Sequence, residues 1–410
     1  MPAKISRLHS VMLLLLSFSL SVHSQQQQSI GHTLDVNPFI GTTKSNVLTS
    51  WGGNGGTYPG AVAPSGNIQL TPETRVTGAK GYDYSDQSIF FFSCFKHFSG
   101  FPEGSSGQVF ILPVENGKNF EPGKYNRSFS HTQEQATPGY YKVIFKDNYT
   151  IAEAAASSRT GILKFTFPPK VTPQIYIGEA GDITLKNKRL VYGTLGNTTI
   201  NLSSNIIESD IVKGGYLLSF EKSDTAAQII TLKISSSSVS FEGAQQNIDQ
   251  EIGQLDFEAF RERTVKEWDM QLATVDIEDP SLENKKIFYT ALYHSLLIPW
   301  IVSDADGKYK GADGKIYQKK GKNQYGGFSP WDTFRSLHPL LTLLYPEKQN
   351  DVILSMLGVY EQTGYLPTET MTGNHAVPII VDAYLKGITG YDRNLAYTAM
   401  RKSILSGPFV

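Results

Sequence analysis

The sequence predicts a protein of two parts, a β-sandwich followed by a helical region. Between about residues 36 and 253, short runs rich in β-branched and aromatic residues are separated by Gly, Pro, Asn and Ser. Many short strands at close spacing are typical of a β-sandwich rather than a parallel sheet. After Asp279-Pro280 the apolar residues recur with the period of a helix. A chain of 410 residues also exceeds one ordinary hydrophobic core, which favours two or more domains.

Changes in this pattern divide the chain into four predicted segments. They are a signal peptide (residues 1–24), a β-sandwich domain (25–253), a helical linker (254–280) and a helical domain (281–410). In the linker, residues 255–270 alternate charges with Phe and Trp, which predicts a surface helix connecting the domains. No helical period is evident in the sandwich segment.

The helical domain is predicted to begin with a helix capped by Ser281. Its predicted apolar face consists of Phe288, Ala291, Leu292, Ser295 and Leu296. A hairpin with its turn at Asp313-Gly314 is predicted next, because Asp-Gly favours a tight β-turn.

Four more helices are predicted towards the end of the chain. The first covers residues 330–345 and contains Pro339, so we expect a kink or two short pieces. The next two cover 350–362 and 374–386, and the glycines that follow them are typical helix stops. Asp392 caps the last.

The first 24 residues have the features of a secretory signal. Lys4 and Arg7 precede an apolar stretch at residues 11–20, which is too short to span a bilayer. We therefore expect export to the periplasm or the extracellular space, with no membrane span. A net charge of −1 and the absence of a basic stripe argue against a nucleic-acid partner. The single cysteine, Cys94, excludes an internal disulfide and a cysteine-based metal site.

The motif at residues 331–335 carries the side chains best suited to binding a sugar. Trp331 offers an apolar ring face, while Asp332 and Arg335 offer paired hydrogen bonds to neighbouring hydroxyls. A structural interpretation fits equally well, since Ser329 at N-cap, Pro330 at N1 and Asp332 at N3 resemble a capping box. Arg335 would then simply pair with Asp332. The two interpretations are compatible.

Other candidates have weaker signals. Asn54 lies in a glycine-rich loop (residues 51–60) whose bare backbone could let a ligand approach, or which could be a turn-rich loop. His97 is a possible contact, although a histidine beside aromatic residues is more often structural. Glu361, Glu369 and His375 could face the same cavity as Asp332. Glycoside hydrolysis needs two carboxylates, but many surface carboxylates are inert.

A calcium loop is one interpretation of residues 304–307, which read Asp-Ala-Asp-Gly. The third ligand position of an EF-hand would be Lys308, which repels the ion. The hairpin is therefore favoured over a calcium loop.

Several motifs together resemble a known family. They are Asn37 to Thr42, residues 58–66, residues 97–100, residues 331–335, residues 355–357, and His375 with residues 382–387. In order and spacing they are similar to the exported bacterial α-mannosidases of glycoside hydrolase family 92, over nearly all of the mature chain. The resemblance implies an N-terminal β-sandwich, a helical linker and an (α/α)6 toroid.

The resemblance also implies a calcium-dependent, exo-acting, inverting hydrolase that releases terminal α-mannose from glycans such as N-glycan or mannan chains. It assigns Asp332 and Arg335 as contacts to the terminal sugar, and more weakly Trp331, His375, Asn54 and His97. The family's general acid, general base and calcium-binding residues belong to the later toroid, so we expect them beyond Val410. The chain is accordingly expected to be the N-terminal portion of such an enzyme, with an incomplete toroid.

Two alternatives to this interpretation stay open. The polypeptide could be a non-catalytic glycan-binding protein or a decayed remnant, or another sandwich-plus-toroid glycosidase with a different sugar. The linkage, the glycan and the oligomeric state do not follow from the sequence.

Overall fold

The computed structural model describes residues 31–43, 55–76, 81–95, 99, 107–115, 117, 120–368 and 372–407. The predicted signal peptide, Asn54, His97 and Glu369 lie outside these residues. From His32 onwards the chain forms one compact unit. None of its described helices is both long and apolar enough to cross a membrane.

The N-terminal half of the described chain is built from short β-strands. They are β1 (Ala61–Val62), β2 (Gln69–Glu73), β3 (Ser88–Ile89), β4 (Phe91–Phe95), β5 (Gln108–Val114), β6 (Arg127–Ser128), β7 (Glu134–Thr137), β8 (Tyr140–Ile144), β9 (Ile151–Ala156), β10 (Thr160–Phe167), β11 (Gln174–Gly178), β12 (Ile183–Asn187), β13 (Leu190–Gly193), β14 (Thr198–Leu202), β15 (Glu208–Val212), β16 (Gly215–Ser219) and β17 (Gln228–Ser235).

Most of these strands belong to two antiparallel sheets. Within the described residues one sheet has seven strands in the order β1-β2-β4-β5-β11-β16-β15, and the other has eight in the order β12-β13-β14-β17-β10-β9-β8-β7. Strands β3 and β6 form a separate pair. The prediction of a β-rich N-terminal part is confirmed.

The two sheets contribute to one hydrophobic core. In β10, Leu163, Phe165 and Phe167 are buried while Lys164 and Thr166 are partly exposed, as expected for a strand with one face inward. Phe92 of the seven-stranded sheet lies 6.1 Å from the ring centroid of Phe165 in the eight-stranded sheet. Side chains from both sheets therefore meet in a common interior.

Helices dominate the described chain after β17. They are α1 (Phe241–Glu251), α2 (Phe257–Leu272), α3 (Leu282–Ser295), α4 (Pro330–Thr333), α5 (Leu337–Leu344), α6 (Pro346–Thr363), α7 (Ala376–Leu385) and α8 (Arg393–Ser406). Four short strands lie between α3 and α4, namely β18 (Trp300–Ile301), β19 (Lys308–Lys310), β20 (Ile316–Gln318) and β21 (Tyr325–Gly326).

Helix α1 contradicts the prediction of β structure up to Gly253. Ser240 caps this helix by accepting a hydrogen bond from the Gly243 amide. Its buried face includes a polar residue, Asn247, which lies between Ala244 and Ile248. This amide interrupts the apolar period, so the helix was not recognised. The predicted linker helix is confirmed as α2.

Helix α3 begins as predicted, with the Ser281 side chain accepting from the Asn284 amide. Its predicted apolar face is wrong in part, because Ala291 is exposed while Tyr289 and Tyr293 are buried. Tyr293 packs against Trp268 of α2, with ring centroids 4.6 Å apart. The two tyrosines thus rotate the buried stripe away from Ala291.

The later helices follow the predicted order. The expected break within residues 330–345 separates α4 from α5, but it lies before Pro339, which occupies the first turn of α5. A proline is tolerated there, since amides in the first turn have no helical partner. Helix α6 ends at Gly364, whose φ is 84°, and Asp392 caps α8 through the amides of Asn394 and Leu395.

The hairpin predicted at Asp313-Gly314 is confirmed. Strands β19 and β20 pair antiparallel, and Gly314 adopts a φ of 82° in the turn. Asp306 accepts from the Lys308 ammonium at 2.7 Å. Asp304 is buried and bonded to Asn247 at 3.0 Å. Both carboxylates are therefore engaged by protein donors rather than arranged as a calcium loop.

Candidate functional site

A two-stranded ribbon positions the 331–335 motif. Strand β18 pairs with β21, with Trp300 opposite Gly326. Gly327 follows with a φ of 64°, and a Cβ atom on it would lie 2.5 Å from the Trp300 ring. Only glycine fits this approach. The chain therefore passes directly over the Trp300 ring before it enters α4.

Ser329 and Asp332 form the first contact of the motif. Ser329 adopts the left-handed conformation, with φ 38° and ψ 60°, and its side chain does not cap α4. Instead its hydroxyl donates to Oδ2 of Asp332. The predicted capping box is therefore wrong, although Pro330 does occupy the first turn. The hydroxyl restrains the Asp332 carboxylate.

Two aromatic rings lie beside the Arg335 guanidinium. Its carbon Cζ lies 5.8 Å from the centroid of the Trp331 ring and 5.2 Å from that of Phe334. Such distances allow cation–π attraction. In the described structure Arg335 forms no ion pair with Asp332, so the predicted pairing is wrong. The guanidinium donors remain available to a ligand.

His375 lies beside the same cluster, immediately before α7. Its ring is 4.7 Å from the ring of Phe334. The structure thus brings His375 close to the 331–335 motif, 40 residues earlier in the chain. The ring between them is that of Phe334, which the sequence analysis did not single out. Phe334 has a recognisable signal, since it stands three positions after Trp331 on a helical turn.

The cluster forms an open surface in the described structure. Trp331 is 37% exposed, and Asp332 and Arg335 are also exposed. It offers a ring face, a carboxylate and a guanidinium fork, which is a set suited to the apolar face and hydroxyls of a sugar. Among the described residues of this cluster, Asp332 supplies the carboxylate.

Three of the remaining predicted candidates are not described by the structure. Asn54, His97 and Glu369 lie outside the described residues. Glu361 forms an exposed ion pair with Lys320 at 2.5 Å, which indicates a solvated surface contact.

A large cavity in the described structure lies elsewhere. It has a volume of about 970 Å³, and residues 331–335 and His375 do not line it. We call it the junction cavity, because its walls come from the β part, α2 and the helices that follow. A binding surface and a cavity therefore occupy different places in this chain.

Two family models match the chain. Residues 35–244 match the glycosyl hydrolase family 92 N-terminal domain, and residues 243–408 match the family 92 catalytic domain. The chain belongs to glycosyl hydrolase family 92. The predicted resemblance is confirmed.

Solved structures of family 92 proteins share the fold. The α-mannosidase BT3965 from Bacteroides thetaiotaomicron is 29% identical, with a TM-score of 0.81 over 92% of this chain and 57% of that chain. The inverting mannosidase BT2199 from the same organism is 27% identical, with a TM-score of 0.80 over 92% of this chain and 56% of that one. The chain thus spans little more than half the length of these family 92 proteins. No curated protein matches it.

Proposed function

We propose that this protein is an exo-acting, inverting α-mannosidase that releases terminal mannose from glycans such as N-glycan or mannan chains. Membership of family 92 carries the proposal. It is supported by BT3965, an α-mannosidase that has also been solved in complex with mannoimidazole, and by BT2199, an inverting mannosidase. Because this chain spans about half of those proteins, the proposal concerns the activity of the whole protein.

We assign the 331–335 surface to the terminal sugar. Arg335 would donate two hydrogen bonds to neighbouring hydroxyls, and Trp331 would cover the apolar face of the ring. The Ser329 hydroxyl donates a hydrogen bond to Oδ2 of Asp332, which leaves Oδ1 to accept one from a sugar hydroxyl. Asp332 acts in this proposal as an anchor rather than as an acid or base. His375, Asn54 and His97 are proposed as further contacts.

Inversion requires two further carboxyl groups on opposite sides of the scissile bond. In inverting enzymes they stand roughly 6.5–9.5 Å apart, which leaves room for the attacking water. One protonates the leaving oxygen while the other takes a proton from that water. We propose that these groups belong to residues beyond Val410.

Calcium does not fit the residues described. Among them, no group of three or more His, Cys, Asp or Glu side chains could hold a metal ion. The best sequence candidates, Asp304 and Asp306, are bonded to Asn247 and Lys308. The proposed calcium dependence of the whole protein therefore assigns no step to the described residues.

The fold details are part of the same proposal. The shared core of the two sheets supports a β-sandwich. We propose that the helices after residue 281 are the first of an (α/α)6 toroid, and that the leader directs export to the periplasm or the extracellular space. The domain boundaries at residues 25, 254 and 281 are proposed on the sequence pattern.

Calorimetry with α-1,2-mannobiose tests the sugar assignment. We expect Arg335→Ala to weaken binding by roughly 10- to 100-fold, since a hydrogen bond to a charged group contributes about 1.5–3 kcal/mol. Arg335→Lys keeps the positive charge but loses the paired N–H donors of the guanidinium, so its affinity should lie between those of the unaltered protein and Arg335→Ala. Arg401→Ala, which removes an exposed guanidinium on α8, is the matched control and should bind normally. Unchanged affinity in Arg335→Ala would remove this residue from the site.

Hydrolysis distinguishes the enzyme from its alternatives. The sugar released should be mannose, and proton NMR should show the β-anomer first if the reaction inverts. Activity should disappear with a chelator and return with calcium. In the whole protein, binding without turnover would favour a non-catalytic glycan-binding protein, and release of another sugar would favour a different glycosidase.

A further inference from the structure

We propose that the junction cavity is a second carbohydrate site, which binds a neutral mono- or disaccharide. This proposal rests on the residues that line the cavity and does not depend on the mannosidase proposal. The walls come from three parts of the chain: Arg159 of the β part, Glu267 and Gln271 of α2, and a group from the helical part that includes Lys348 and Asn350.

The cavity contains polar groups that the protein leaves without partners. Among the described residues, the Glu267 carboxylate and the Lys348 ammonium take part in no hydrogen bond or ion pair. The Asn350 oxygen Oδ1 is buried and also has no partner. An unmade bond at an enclosed atom such as the Asn350 oxygen costs about 1–3 kcal/mol. Glu267 and Lys348 are half-buried, so their polar ends can bond a ligand in the cavity in place of water.

These groups require both donors and acceptors from the ligand. Glu267 and Asn350 accept hydrogen bonds, whereas Lys348 donates them. Burial raises the pKa of Glu267 and lowers the pKa of Lys348 to about 7, because it disfavours the charged form of each side chain. A sugar hydroxyl both donates and accepts, and can therefore pair with the Glu267 carboxylate or with the Lys348 ammonium.

The charges around the cavity favour a neutral ligand over an anion. Three basic residues line it (Arg159, Lys322 and Lys348), and three acidic residues balance them (Glu267, Glu347 and Asp351). The Arg159 guanidinium is already held by Glu251 at 2.8 Å, outside the lining. No net positive charge remains that would select a phosphate or a carboxylate.

Apolar walls complete the match to a sugar. The rings of Tyr325 and Tyr345 line the cavity, and the Tyr345 hydroxyl is held by the Gln271 carbonyl at 2.8 Å. Both side chains are buried, so they give the cavity an apolar wall. The volume of about 970 Å³ lies near the upper end of typical ligand pockets, which run to roughly 1,000 Å³. It can hold more than one sugar ring.

The junction cavity is separated from the 331–335 surface by the length of a helix. His375 stands just before the first turn of α7, whereas residues 387–390, beyond its last turn, line the cavity. Ten helical residues span about 15 Å. A saccharide in the cavity would therefore not occupy the proposed terminal-sugar contacts.

Calorimetry in an Arg335→Ala background tests the proposal, because that change disables the first site. We expect this variant still to bind α-1,2-mannobiose, and we expect Glu267→Gln or Lys348→Met added to it to weaken the remaining binding at least tenfold. Glu262→Gln and Lys266→Met, exposed positions on the same helix as Glu267, are the matched controls and should leave it unchanged. Urea melts establish that each variant is folded.

A second measurement needs no variant. Reductive methylation of Lys348, followed by mass spectrometry, should slow in the presence of mannobiose, while methylation of Lys266 should not. Loss of all saccharide binding in Arg335→Ala would overturn the proposal, as would binding that ignores both cavity variants or Lys348 methylation that ignores the sugar. If Arg335→Ala instead binds like the unaltered protein, the first assignment fails while the cavity variants still decide the second.

Discussion

Replacing Arg159 by Met removes a contact that joins the β part to the helical part. Arg159 stands in the turn between β9 and β10. Its guanidinium donates to Glu251 at the end of α1 at 2.8 Å, to the Ser303 carbonyl at 2.6 Å and to Asn323 at 3.3 Å. One side chain thus bonds three segments that are far apart in the sequence.

The free-energy cost follows from burial. The side chains of Arg159 and Glu251 are each only 14% exposed, so water screens the pair weakly. Removing one partner of a buried ion pair costs about 3–5 kcal/mol, much of it from the charge left behind. Because some water reaches this pair, we expect a loss near the lower end, about 3 kcal/mol. With a urea m-value of about 3 kcal/mol/M, the unfolding midpoint should fall by about 1 M.

Urea unfolding followed by tryptophan fluorescence measures this loss. Arg189→Met is the matched control. The exposed Arg189 guanidinium donates to Asn205, so its removal should cost less than about 0.5 kcal/mol. Arg159→Met,Glu251→Gln should recover part of the stability by removing the unpaired carboxylate. A loss below about 1 kcal/mol in Arg159→Met would show that solvent already screens the pair, and would refute the reasoning.

Two further predictions concern stability. His338 is buried, and burial lowers its pKa to about 4 from 6.5. As the pH falls, the unfolded chain therefore binds a proton at His338 before the folded chain does, so the free energy of unfolding should drop by about 3 kcal/mol between pH 6.5 and 4. Urea unfolding across that pH range should show a smaller drop for His338→Gln. Gly327→Ala should lower the free energy of unfolding by about 1–3 kcal/mol more than Gly314→Ala does. Both glycines have a positive φ, but only a Cβ atom on Gly327 would clash with the Trp300 ring. Equal losses of stability in urea unfolding would contradict that contact.

Local signals explain why much of the fold could be predicted. Ser281 and Asp392 cap their helices, and Gly364 and Gly314 adopt the positive φ that their positions require. These outcomes depend on residues within a few positions of each other. Helix α1 shows the opposite case, because Asn247 on its buried face is explained by its bonds to Asp304, to the Ala305 amide and to the Ser236 carbonyl.

The site was predictable in composition but not in geometry. A ring, a carboxylate and a guanidinium at residues 331–335 indicate sugar chemistry from their residue types alone. The left-handed conformation of Ser329, however, follows a passage over the ring of Trp300, and the stacking of Phe334 on His375 joins two distant segments. The junction cavity could not be anticipated, since its walls come from segments hundreds of residues apart.

The bond between Trp268 and Val62 has a consequence for the order of synthesis. The indole N–H of α2 donates to the Val62 carbonyl at 2.7 Å, and both residues are fully buried. While the ribosome makes the chain, Val62 emerges some two hundred residues before its partner. Val62 and Trp268 belong to one hydrophobic cluster, which therefore cannot close until α2 is present, and a product cut short before residue 268 would lack this bond.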